Sequence, residues 1–85
     1  MFELKILNVV KFIEAVNNCA QAVNVLLPTG MKANINGVYA AQHELIRQFR
    51  ENNNSLNLVL EFENYTDYMK VMLFAISDNY SYCHD

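Results

Sequence analysis

His43, Glu44, Arg47 and Arg50 lie on one short stretch of sequence, and His43 is the single histidine that falls inside an expected element. An imidazole next to a carboxylate and two guanidiniums can do acid–base work, given a cleft and an orienting partner. On the solvent side of a helix the same residues are simply hydrated. A second set, Glu61, Glu63 and Asp67, offers paired carboxylates for proton transfer or a divalent ion. Strand-end alternation followed by an acid favoured at a helix start accounts for them better. The third set is Cys83-His84-Asp85, three possible metal ligands in a row. A metal centre draws about four ligands from an ordered scaffold, which three adjacent residues at a chain end do not provide. Cys19 falls on an apolar helical face and reads as a small buried hydrophobe. The expectation is no catalytic residue, no metal and no cofactor.

The chain that must position these groups has 85 residues, of which 53% are hydrophobic and 18% charged. That length suits one domain, and the balance is globular rather than disordered. No apolar run approaches the ~20 residues of a membrane span, and no basic-then-apolar leader is present. A soluble, cytoplasmic protein is expected. Net charge is −3, with six basic residues scattered along the chain. Nucleic-acid affinity rests on clustered Lys and Arg. Here only Arg47 and Arg50 are close, and Glu44 and Glu51 flank them. Neither nucleic acid nor an anionic membrane is an expected partner.

Hydrophobic period sets the element order. FELKIL, 2–7, alternates with Phe2, Leu4 and Ile6 on one face, which predicts a half-buried strand. After Asn8, a natural N-cap, the period changes: Val9, Phe12, Ile13, Val16 and Ala20 recur at helical spacing. AVNVLL, 22–27, and MKANI, 31–35, alternate on either side of Pro28-Thr29-Gly30, which predicts a hairpin. Asn36 is expected to cap a second helix beginning at Gly37, with Val38, Ala41, Gln42, Leu45, Ile46 and Phe49 inward. LNLVLEF, 56–62, supplies a fourth strand with Leu56, Leu58 and Leu60 inward. Asn64 to Asp67 resembles a capping box with Asp in the acidic place. The third helix is expected to run through Tyr65, Tyr68, Met69, Met72, Leu73 and Ile76. Residues 77–85 form a polar, aromatic tail without periodicity, expected to fray. The order β-α-β-β-α-β-α predicts an α+β open-faced sandwich, a four-stranded antiparallel sheet with helices on one face, occupying residues 1–76.

This order, with the stretch VNVLLPTGMKANINGVYA, resembles the HPr family, the small histidine phosphocarriers of the bacterial sugar phosphotransferase system. The resemblance covers about residues 2–76 and implies strand order 1-4-2-3. Family members carry a Gly-Ile-His-Ala-Arg-Pro-Ala type motif between first strand and first helix, where the His accepts a phosphoryl group. The matching segment here, LNVVKF, has no His, Arg or Pro and is several residues shorter. A phosphoryl acceptor needs a nucleophilic nitrogen at the site. The family's regulatory Ser aligns near Asn36-Gly37, neither of which has a hydroxyl. The resemblance further implies a protein-docking surface at the starts of the first and second helices, corresponding to Leu7, Val10, Gly37, Tyr39 and Ala40.

The expected function is a non-enzymatic, regulatory, HPr-like module that binds another protein. Tyr39, Tyr65, Tyr68, Phe74, Tyr80 and Tyr82 add aromatic side chains of the kind enriched at interfaces. One alternative is a small-molecule-binding regulatory domain of ferredoxin-like topology, sheet order 4-1-3-2. Another is an atypical phosphocarrier using His43 or His84. A free sheet edge would also make a homodimer possible.

Overall fold

The computed structural model describes residues 2–77 and 82–84. The elements run β1 (Phe2–Ile6), α1 (Val9–Asn17), β2 (Val23–Leu26), β3 (Lys32–Asn34), α2 (Tyr39–Glu51), β4 (Leu56–Phe62), α3 (Tyr65–Ser77) and β5 (Tyr82–His84). All strand pairs are antiparallel, and the sheet order is β3-β2-β4-β1-β5. The first four strands therefore lie in the order 1-4-2-3, under three helices. A ferredoxin-like order would place β1 beside β3, and here β4 lies between β1 and β2, which excludes that topology.

Alternation decides which face of each strand is covered. Leu4 and Ile6 of β1, Val23 and Val25 of β2, and Leu56, Leu58 and Leu60 of β4 are all buried. They meet Phe12 and Val16 of α1, Leu45 of α2 and Val71 and Ala75 of α3 in one core. The other face of the sheet is open and carries Glu3, Asn57 and Glu61. There Lys32 of β3 reaches across β2 to Glu61 of β4, with Nζ 2.7 Å from Oε2.

One expected feature is corrected. Residues 82–84, expected to fray, pair as β5 with the outer edge of β1, Glu3 opposite His84 and Lys5 opposite Tyr82. A run of three residues is too short for a period to show, and the free edge of β1 offers it hydrogen-bonding partners. On α3 the fully covered line is Asp67, Val71 and Ala75, while Tyr65, Met69 and Leu73 point outward. Apolar residues occur nearly all round this helix, so spacing alone does not select a face.

β1, β4 and α3 are joined at their shared end by aromatic packing. Phe2 stacks on Phe62 with centroids 5.6 Å apart, and Tyr68 meets Phe2 edge-on at 5.0 Å. Asn53 and Asn54, which end α2, both have left-handed backbone with φ of 57° and 58°. Asn tolerates that region better than other non-glycine residues, which is the reason NNNS breaks the helix.

Candidate functional site

The upper end of the molecule is where β1 ends, α1 begins, the hairpin turns and α2 finishes. Leu7 and Asn8 alone connect β1 to α1. Asn8 caps the helix as its sequence position predicts: its Oδ1 accepts the Lys11 backbone N–H at 3.2 Å, and its carbonyl accepts from Phe12 at 3.1 Å. Lys11 is exposed, and no histidine lies in this connection. The segment is a tight cap.

The lower end is built from side chains distant in sequence. Asp67 is fully buried, and its two carboxylate oxygens accept the backbone N–H groups of Ala20 and Gln21, each at 2.8 Å. These bonds, opposed by burial and assisted by Lys70, hold its carboxyl below the usual carboxylate range. The residue was expected to close a capping box. Only half of one is present: Asn64 Oδ1 accepts the Asp67 N–H at 3.1 Å, while the Asp67 carboxylate turns away to the loop between α1 and β2.

Asn36 corrects a second expectation. It does not cap α2, whose N-cap is Val38 with no side-chain capping bond. Its Nδ2 donates instead to the carbonyls of Cys19 and Gln21, at 3.0 and 2.7 Å. Gly37 follows with φ +70°, a conformation that glycine adopts without steric cost. Its N–H donates to Asn17 Oδ1 at 3.1 Å, and that same oxygen accepts from Gln42 Nε2 at 2.7 Å. Gln42 is buried and also donates to the Ile35 carbonyl at 2.8 Å. Lys70 Nζ closes the group on the Asn18 carbonyl at 3.0 Å. Cys19 is buried beside Asp67 as a free thiol. Burial first, and the Asp67 charge next, push its pKa up to about 11, which makes it an inert small side chain rather than a nucleophile.

The structure separates the other candidate groups. Glu61 lies on the open face with Lys32, Glu63 is exposed, and Asp67 is buried among backbone amides, so they form no common site. His43 is exposed on α2. Arg47 is tied to both Glu44 and Glu51, its Nε 2.9 Å from Glu44 Oε2, and the bonds from Arg47, with one from Gln48, lower the Glu44 pKa to about 2. Among the described residues, no group of three or more His, Cys, Asp and Glu is placed to hold a metal ion. The expectations for the side chains of Tyr80, Tyr82, Cys83, His84 and Asp85 fall outside the described side chains.

The five docking residues implied by the resemblance fall into two sets. Leu7 is half-buried, and Val10 is 61% exposed in the first turn of α1. Gly37 and Ala40 are exposed and Tyr39 is 71% exposed, but they sit at the lower end, where Gly37 bonds Asn17. From Val10 to Asn17 is seven residues of helix, roughly 10 Å along its axis. α1 thus spans the gap between the two sets. The more continuous apolar surface is on α3, where Tyr65, Met69 and Leu73, spaced four apart, are 75%, 37% and 56% exposed. Sequence spacing marks these residues as apolar; that they face outward follows only from the anchoring of Asp67.

An apolar groove of about 490 Å³ also runs between α2 and the hairpin, lined by Val25, Leu27, Pro28, Ala33, Ile35, Ala41, Leu45 and Leu58, with Glu44 and Gln48 at its rim. It exists because α2 packs against α1 and leaves the β3 side of the sheet uncovered. No described helix is long and apolar enough to cross a membrane. No family model, curated protein or solved structure matches this chain.

Proposed function

We propose that this chain is a non-enzymatic domain of HPr-like layout that acts in the cytoplasm by docking another protein onto the outward face of α3. The observation that carries the reading is the line Tyr65, Met69 and Leu73, three large side chains left uncovered on one helix. Contiguous exposed apolar surface on a small protein marks an interaction site more often than scattered single residues do. Val10 of α1 and Tyr39 of α2 are further exposed apolar side chains, at opposite ends of the helical layer. The open face of the sheet interleaves Glu3, Asn57 and the Lys32–Glu61 pair with half-buried Leu26 and Val59.

The strand order and the three-helix layer support the HPr-like layout, and the two-residue connection at Leu7-Asn8 supports the absence of phosphocarrier chemistry. Regulation by occupancy of a partner is the role left to such a domain. A photo-crosslinking residue placed at Leu73 should trap a partner that the same residue placed at Asn57 does not. Tyr65→Ser combined with Leu73→Ser should abolish the capture without lowering Tm. Phosphoryl transfer from phosphoenolpyruvate onto His43 or His84, through the general phosphotransferase enzyme, would sink the reading.

A further inference from the structure

We propose that this chain pairs with a second copy of itself along the outer edge of β3, antiparallel and two-fold symmetric about Ala33. The hairpin register sets Leu26 opposite Lys32, Val25 opposite Ala33 and Asn24 opposite Asn34. The Leu27 N–H donates to Met31 at 2.7 Å, and the Ile35 N–H donates to Val23 at 2.9 Å, so Met31 and Ile35 turn their backbone groups toward β2. Alternation gives Ala33 the same direction. Lys32 and Asn34 therefore aim their N–H and C=O groups away from the sheet, and β3 is its terminal strand.

Those four outward groups match a second copy in one register. With the two-fold axis at Ala33, Lys32 lies opposite the second copy's Asn34 and exchanges two hydrogen bonds with it, and the symmetric pair supplies two more. Ala33 meets its own copy at the non-hydrogen-bonded position, where backbones approach most closely and a small side chain fits. The backbone selects the same register: centring on Lys32 would pair only Lys32 with its own copy and set Asn34 opposite Gly30 of the turn, whose N–H is already given to Leu27, leaving two hydrogen bonds in place of four. On the helix-covered face, Met31, which is 68% exposed, is placed beside the second copy's buried Ile35. The added strand also walls the open side of the groove beneath α2, which Ala33 and Ile35 line.

A lysine on an edge strand ordinarily guards against such pairing. Here the Lys32 ammonium is drawn inward over β2 to Glu61, so its charge lies over the open face and not along the edge. The pairing makes no use of the α3 face and does not depend on the docking role proposed for it.

Sedimentation equilibrium of the full chain, from about 10 µM to about 1 mM, should show the mass rising from 9.8 kDa toward twice that value. Met31→Glu changes an exposed side chain and should raise the dissociation constant by about tenfold or more. Lys32→Pro removes an outward N–H that the hairpin does not use, and should abolish the dimer. Lys32→Ala loses the ion pair but keeps that N–H, and should remain dimeric. In the dimer the Lys32 and Asn34 amides should exchange slowly, becoming fast on dilution, while Ala33 stays protected throughout. A chain monomeric at every concentration overturns the proposal, including one whose edge amides are protected only when a foreign extended peptide is added. So does a dimer indifferent to Met31→Glu and Lys32→Pro, or one that Lys32→Ala dissolves as fully as Lys32→Pro.

Discussion

The two ends of the molecule are held by different chemistry. At the upper end, outside the strand ladders, Asn8 caps α1, Leu27 closes the hairpin turn on Gly30 and Met31, and Asn52 pairs with Ser55. Each of these bonds joins residues three or four apart. At the lower end, beside the local Asn64–Asp67 and Gln42–Ile35 bonds, side chains reach partners 15 to 52 residues away: Asn36 to Gln21, Asp67 to Ala20 and Lys70 to Asn18. The two-residue connection between β1 and α1 is a local cap, and the buried polar groups lie at the opposite end, where they fix how α1, α2 and α3 sit relative to one another. The exposed face of α3 is a product of that lower junction.

The sharpest way to break the contrast is to remove Asp67. Asp67→Ala leaves the partly buried amides of Ala20 and Gln21 without an acceptor, and Tm should fall by on the order of 15 °C. The same variant should loosen α3 and alter crosslinking from Leu73. Acid should act next most strongly, and through the same carboxylate. Its pKa in the folded chain lies below its unfolded value, so its contribution is complete above about pH 4 and is lost as pH falls through the folded pKa. Thermal melts of the wild type should steepen in their dependence on pH below that point, and melts of Asp67→Asn should not.

Asn36→Ala removes two bonds to the loop carbonyls and should cost about 2 kcal/mol by urea titration. At the upper end Asn8→Ala should cost only about 1 kcal/mol, the usual loss for a helix cap, with no effect on α3. A cost for Asn8→Ala exceeding that for Asn36→Ala would reverse the comparison. Arg47→Ala, exposed between Glu44 and Glu51, should leave Tm unchanged within error.

How legible these ends were in the sequence differs for a physical reason. Local devices announce themselves by type and position. Asn8 precedes a change of period, Pro28-Thr29-Gly30 separates two alternating runs, and Leu56, Leu58 and Leu60 alternate with polar neighbours, and all three expectations match the structure. The lower junction uses the same residue types for distant partners. Asn36 and Asp67 sit where a cap and a capping box belong, yet their side chains serve a loop some 15 and 47 residues away. Nothing in local spacing separates the two uses. The outward turn of Met69 and Leu73 was hidden for the same reason, because the buried acid that rotates α3 looked like one of its own capping residues. β5 is too short to carry a period at all.

The position of β4 also dictates how the sheet has to assemble. Only β2 and β3 pair across a short turn; β4 must enter between β2 and β1, setting Leu60 opposite both Val25 and Phe2. The pairing of β1 with β4 closes a loop of some fifty residues before either strand gains from it, an entropic cost that local helix formation does not offset. Folding is therefore expected to run on the millisecond-or-slower scale of sheets with distant pairings, with the hairpin and α2 formed early and the arrival of β4 setting the rate.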